Sequence, residues 1–478
     1  MFSAGGGGSY WSVGAPTSST QIIYAKSIAY DSANDYIIVG YYIRDQSSGP
    51  YGLISSFDAD GNENFTFKVD TNSPSSYESL VYTVCCDSSG NIYVLADGVG
   101  NFTGVTVIKY NSSGTSLWSK KLHAASSQDK EDTFLVLNES TNTLHVSWSY
   151  NDGWSSQTSL NTSNGAFPSS SNGLTQTRRR GIPSGSDKCQ FFDMDIGGSN
   201  YMLQTGKYLD YNSGPSNWRH WPETYLMNNN FTAYGSGSQN IKNTSYGPYM
   251  KGVKSFGSST NGQYVMAGKI NDPAASSPTG NEYNALISVD VDTANPAPGY
   301  LSVQHTKYWT DPTSVGNLYS ICKENFSDGD MCVVGTYTNK GFLTKFDGSL
   351  NINSFGYFEG AGTGFEFSFG LRQRTMAIGA NDDMYILYKD SSGSWGNTSL
   401  HVTKVPADFA SIPSSNIPTG VSGKTLDFTS TTVPTASTTA AGWTWGSAAD
   451  NSLSTNSPVT STLTTSTANT PTWTTEEY

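Results

Sequence analysis

The feature that most restricts this chain is a strand pair that recurs along it. SIAYDSANDYIIVG, ending at Gly40, YTVCCDSSGNIYVLA, ending at Ala96, and FLVLNESTNTLHVS, ending at Ser147, share one plan: a short apolar strand, a polar turn, and a stronger apolar strand that stops at a small residue. The turn residues Asp31, Asp87 and Asn138 each precede that small residue by nine positions, as expected of one hairpin used repeatedly. Looser copies end at Gly206 (MDIGGSNYMLQTG), Gly268 (SFGSSTNGQYVMAG), Gly335 (SICKENFSDGDMCVVG) and Tyr388 (MAIGANDDMYILY), which makes seven. A second hairpin of another kind follows several copies: GLISSFDADGNENFTFKV, VTVIKYNSSGTSLWSKKL and GFLTKFDGSLNINSFGYF, each turning at DG, SG or DGS.

A four-stranded unit with two apolar faces cannot bury them alone, so the units must stack radially. The expected fold is all-β: a seven-bladed β-propeller with four-stranded blades, plus an extended Ser/Thr-rich C-terminal arm. Tyr10, Trp11 and Ser12 match Leu117, Trp118 and Ser119, and Trp11 precedes Asp31 by the same twenty residues by which Trp118 precedes Asn138. The N-terminal strand is therefore expected as the outermost strand of the last blade, paired with His401 to Val405, where it removes two free edges. This divides the chain into a Gly-rich segment (1–9), the propeller (10–412) and the arm (413–478). Trp443, Trp445 and Trp473 are too many tryptophans for a linker, and the arm is expected to order against another surface, with a disordered tail as the alternative.

Charge narrows the partners. Charged residues make up only 14% of the chain, the formal net charge is −13, and Arg178, Arg179 and Arg180 are the one basic run, so nucleic acid is not an expected partner. The N-terminus lacks a basic region followed by an apolar core, and no apolar run is long enough for a membrane helix. Neither conventional export nor membrane insertion is expected. Cys85, Cys86, Cys189, Cys322 and Cys332 show no CxxC pairing and read as buried thiols, with a Cys322–Cys332 link across a hairpin as the alternative.

Asp87 to Val94 (DSSGNIYV), continued from Lys109 to Trp118, resembles a bacterial β-propeller repeat in which that motif is followed by a lysine-centred strand and a tryptophan. The resemblance spans residues 10 to 122 and is schematic beyond. Opened by a Gly-rich segment and YW and closed by a Ser/Thr-rich arm, the chain resembles virion structural proteins of marine tailed phages, found in tails or fibres. That resemblance implies a virion protein assembled in the host cytoplasm. Its partners would be other virion proteins and host surface glycans, and it would be oligomeric within the assembly. A bacterial adhesion or glycan-binding propeller and a propeller glycoside hydrolase are the alternatives.

Motifs for chemistry are weak, and no enzyme activity, cofactor or metal is expected. NSSGTSLW lacks the Asp of a sialidase Asp-box, and neighbouring arginines at 178–180 point to opposite faces, so a solvated loop is expected there. Asp58 to Asn64 has oxygen ligands at alternate positions but lacks the distal Glu of an EF-hand, and reads as a turn with a calcium loop as the alternative. The five histidines lie in no HExxH or GxSxG context. The loop aromatics Trp148, Trp154, Tyr211, Trp218, His220 and Trp221 are the candidate binding residues, suited to stacking on sugars or packing on a neighbouring subunit, with core packing as the alternative.

Overall fold

The computed structural model describes residues 11–16, 20–46, 49–70, 80–97, 105–122, 130–150, 155–169, 171–174, 178–180, 188–197, 202–210, 219–227, 238–242, 249–256, 263–271, 282–291, 301–309, 317–323, 330–337, 340–358, 365–366, 374–391 and 398–405. Beyond these it describes 419–420, 424–425, 436–438, 444–448, 459–460, 464–466 and 474–477. Among the described residues the fold is all-β, a β-propeller of small antiparallel sheets, and no helix is long and apolar enough to cross a membrane. Among the described residues the helical content is confined to two single 3₁₀ turns, at Glu139–Thr141 and Ala380–Asp382.

Up to residue 405, each sheet but the last is a meander of four strands. The first uses Gln21–Asp31, Tyr36–Asp45, Gly49–Phe57 and Glu63–Asp70; the second Val81–Cys86, Ile92–Asp97, Val105–Tyr110 and Ser116–Leu122. The third is built from Lys130–Asn138, Thr143–Tyr150, Ser155–Asn161 and Arg178–Arg180, and the fourth from Lys188–Ile196, Met202–Asp210, Arg219–Met227 and Ser238–Lys242. Tyr249–Phe256, Gln263–Asn271, Glu282–Val291 and Leu301–Trp309 form the fifth; Asn317–Lys323, Met331–Tyr337, Lys340–Phe346 and Ile352–Phe358 the sixth. In the last, Met376–Ile378, Met384–Ser391 and Thr398–Val405 are joined by the N-terminal strand Trp11–Pro16, with Phe365–Glu366 beside the second of them.

The first strand of each sheet packs on the first strand of the next, and that of the last returns to the first sheet. Second strands are buried on both faces because a neighbouring sheet covers each. Ile37, Val39 and Tyr41 pack with Trp11, Tyr385 and Leu387 of the last sheet, whereas Ile38 packs with Val81, Val84, Ile92 and Val94 of the second. Alternate side chains of one strand thus belong to two different cores, as the period of two requires. The small residue that ends the repeat has a steric cause. A β-carbon on Gly40 would lie 2.9 Å from the Val81 and Val84 side chains of the incoming strand.

Six first strands share a device the sequence did not announce. The register slips by one residue at each of Ala25/Ser27, Val81/Thr83, Lys130/Thr133, Phe191/Asp193, Met250/Gly252 and Leu318/Ser320. Such bulges sharpen the local twist that a strand needs where it lines the middle of a ring.

Ring closure follows the expected register, with Trp11 opposite Lys404 and Gly14 opposite His401. The N-terminal strand is not outermost, however. Thr474–Glu477 pairs on its other side, Ser12 opposite Glu476. Two more expectations need correction. Arg178–Arg180 is not a loop but a short strand on Ser155–Gln157, because the backbone there completes the third sheet. The described strands of the C-terminal segment that reach the propeller lie on this chain's own ring: Ala436–Thr438, Thr444–Ala448, Val459–Thr460, Thr464–Ser466 and Thr474–Glu477 add to the outer strands of the fifth, fourth, second, first and last sheets.

Candidate functional site

The turns that join third to fourth strands in the first, second and sixth sheets, and that at Asp87, are built on one hydrogen-bond scheme. In Asp58–Asn62, Asp87–Asn91, Asn111–Thr115 and Asp347–Asn351, the first side chain accepts the N–H groups two and four residues on, at 2.8 to 3.1 Å. The Asp58 carboxylate also takes the Asn62 amide, so the oxygen-rich run from Asp58 acts as a hairpin turn.

The Asp58 turn, and the Asn161–Gly165 turn that leaves the third strand of the third sheet, each receive a latch from the preceding sheet. Trp11 Nε1 donates to the Ala59 carbonyl at 2.7 Å and Lys404 Nζ to the same oxygen at 3.3 Å. Equivalent groups one repeat pair on, Trp118 Nε1 and Lys109 Nζ, both donate to the Thr162 carbonyl at 3.1 Å. Each lysine is held from behind by an aspartate, Asp383 at 3.0 Å and Asp87 at 3.8 Å. The Trp11/Trp118 correspondence read in the sequence is thus one contact used twice. Gly61 sits under the Trp11 ring with φ +86°, and a β-carbon there would lie 2.8 Å from the indole.

Burial alone would raise the Asp87 carboxyl, but Asn91, the Tyr93 hydroxyl and Lys109 outweigh it and hold it below 3.8. Asp347 is lowered too, its slight burial outweighed by Asn351 and Ser349. A lowered native carboxylate contributes stability above its unfolded pKa and loses it as pH falls through the native value. Urea midpoints are therefore expected to hold level from about pH 7 to about pH 5 and to fall below about pH 4. Asp87→Asn is expected to be weaker at neutral pH and to show a smaller acid fall.

Among the described residues, the ring centre carries a cluster of buried charge. Asp193 and Asp195 are 8% and 5% exposed, on the first strand of the fourth sheet. Asp193 Oδ2 accepts the Val253 N–H at 3.0 Å, and Asp195 Oδ2 the Ser255 N–H at 2.7 Å, so the carboxylates stitch the fourth sheet to the fifth. In the first sheet Ser27 Oγ does this to Val84 N–H. Lys254 Nζ lies 3.0 Å from Asp195. Arg374, at the entry to the last sheet, reaches the opposite side of the ring: its guanidinium donates to the Met194 carbonyl at 3.1 Å and lies 3.7 Å from Asp193. The Arg374 carbonyl accepts the Ile28 N–H of the first sheet. Burial pushes Asp193 up, partly offset by Arg374 and the Val253 N–H, whereas Lys254 and Arg374 overcome burial and hold Asp195 below its ordinary value.

The candidate aromatics separate. Trp148 is not a ligand-facing side chain, because it is fully buried with Leu135, Leu144 and Val146 in the core between the second and third sheets. His220 and Trp221 lie in the third strand of the fourth sheet, opposite Leu209 and Tyr208. Trp154, Tyr211 and Trp218 lie outside the described residues, as do Trp443 and Trp473, while Trp445 pairs with Ile241 in the added strand of the fourth sheet. Cys85 and Cys86 are free thiols, and burial pushes Cys85 up to about 12; Cys322 stands opposite Cys332 across a hairpin. Among the described residues no three His, Cys, Asp or Glu side chains are placed to hold a metal ion. The central cluster was missed in the sequence. Its signal is the i, i+2 pair in FFDMDI, two acids in a strand whose counterpart positions elsewhere carry Ser27 and Ala29 or Thr83 and Cys85.

No protein-family profile and no curated protein matches the sequence. Solved structures do. The extracellular region of plexin A4 matches with a TM-score of 0.51 at 10% identity, over 83% of this chain and 52% of that one, so this chain spans about half of the plexin. Drosophila Semaphorin 2a matches with a TM-score of 0.49 at 9% identity, over 83% of this chain and 75% of that one. The polysaccharide lyase Uly1 gives 0.49 at 8% identity, over 83% and 99%. At such identities the plexin likeness shows the fold, a β-propeller, and nothing of function.

Proposed function

We propose that this chain is a non-catalytic propeller of seven blades that serves as a structural component of a phage virion, in a tail, fibre or other appendage, where it joins other virion proteins and meets host surface glycans. The sheets of four or more strands among the described residues, each read as one blade, support that count. The observation that carries the non-catalytic reading is the occupation of the central charges. Asp193 and Asp195 each hold a backbone N–H and a cation, so they act as rivets between sheets. Work then falls to the periphery, where the loops and rim lie. The DSSGNIYV repeat and the flanking Gly-rich and Ser/Thr-rich segments support the virion setting.

The test is to locate the chain in purified phage particles by mass spectrometry and cryo-EM; its presence in an appendage at fixed copy number is expected, and its absence from particles overturns the virion reading. One observation favours a second reading, a propeller glycoside hydrolase: two neighbouring carboxyls at the ring centre are shifted in opposite directions, the pattern of an acid and base pair. Polysaccharide cleavage lost in Asp195→Asn with the fold retained would establish it.

A further inference from the structure

The C-terminal segment visits the ring in a fixed sense. Its strands add to the fifth, fourth, second, first and last sheets in that order, opposite to the order in which the chain built them. Steps between adjacent sheets use the gaps 438–444, 460–464 and 466–474. The longest interval, 448–459, separates the strand on the fourth sheet from the strand on the second. Its described strands thus form a belt laid round the rim. Its last strand covers the N-terminal strand that closes the ring.

Each belt contact is an antiparallel pairing of two to five residues. A main-chain ladder so short depends little on side-chain identity. Identical edges on a second copy offer the same ladder, and the belt joins its own ring through residues 406–435, within which Thr419–Gly420 pairs with Lys424–Thr425. Among the described residues the outer strands of the third and sixth sheets, Arg178–Arg180 and Ile352–Phe358, carry no added strand. Exchange can therefore begin on an open edge before a belt is vacated.

We propose that the belt is the element by which one copy of this chain binds another: its strands transfer to the rim of a second ring, a strand exchange between identical chains. This holds whatever the ring serves. The test uses full-length chains and the paired residues Lys68 and Ser466, which stand directly opposite each other. One copy carries Lys68→Cys, a second, size-tagged copy carries Ser466→Cys, and a third carries both. Oxidised mixtures of the first two are expected to give a disulfide-linked species of mixed size that dominates at high concentration and declines on dilution, while each single variant alone does not give it. The double variant is expected to shift from interchain to intrachain linkage on dilution. Linkage only within the double variant's own chain at every concentration overturns exchange; no linkage in any variant overturns the belt itself.

Discussion

Trp11→Ala is expected to lower the unfolding free energy by about 3–5 kcal/mol, the range for truncating a fully buried aromatic side chain. Trp11 is wholly buried, packs at 5.8 Å from the Tyr385 ring, covers Gly61 and donates to Ala59. Its loss removes these contacts at the seam between the chain's two ends. Denaturant titration followed by circular dichroism measures the loss. Gly61→Ala attacks the same latch from the other side, by left-handed strain and by collision with the indole. Trp118→Ala, at the second latch, is expected to cost less because that ring is only partly buried.

Arg374→Met is expected to cost about 1–3 kcal/mol, less than the loss of one partner of a fully buried ion pair because the arginine is only partly buried. The methionine fills much of the space but removes the cation beside Asp193, leaving that carboxylate to backbone N–H donors at the ring centre. Adding Asp193→Asn to Arg374→Met is expected to restore about half of that loss, since the orphaned charge is gone while the Met194 contact stays lost. Because a carboxyl already raised by burial rises further without its cation, the single variant's deficit should be smaller near pH 4 than at pH 7. The sign follows from linkage: a raised native pKa means the folded state holds its proton longer, and stability falls as pH rises through that interval.

Much of the architecture was legible because it is written in local spacing. The nine-residue interval from Asp31, Asp87 and Asn138 fixed the hairpin, and the Trp11/Trp118 match fixed the closure. What remained hidden depends on contacts between distant residues. Arg374 meets Met194 across 180 residues of sequence and lies beside Asp193, a pairing no local pattern encodes. Trp148 looked like a loop aromatic because it ends a strand, yet the third sheet's neighbour buries it completely. The belt was read only as an arm, since Ser and Thr runs give no strand period to recognise, and its pairing partners lie on edges built hundreds of residues earlier.

Hydrogen exchange by mass spectrometry on the native full-length chain tests closure most directly. The account predicts that Trp11–Pro16 and Thr398–Val405, drawn from the two ends of the sequence, open with the same free energy as the interior strand Tyr36–Asp45. Rapid exchange of residues 11–16 beside a protected 36–45 would contradict it.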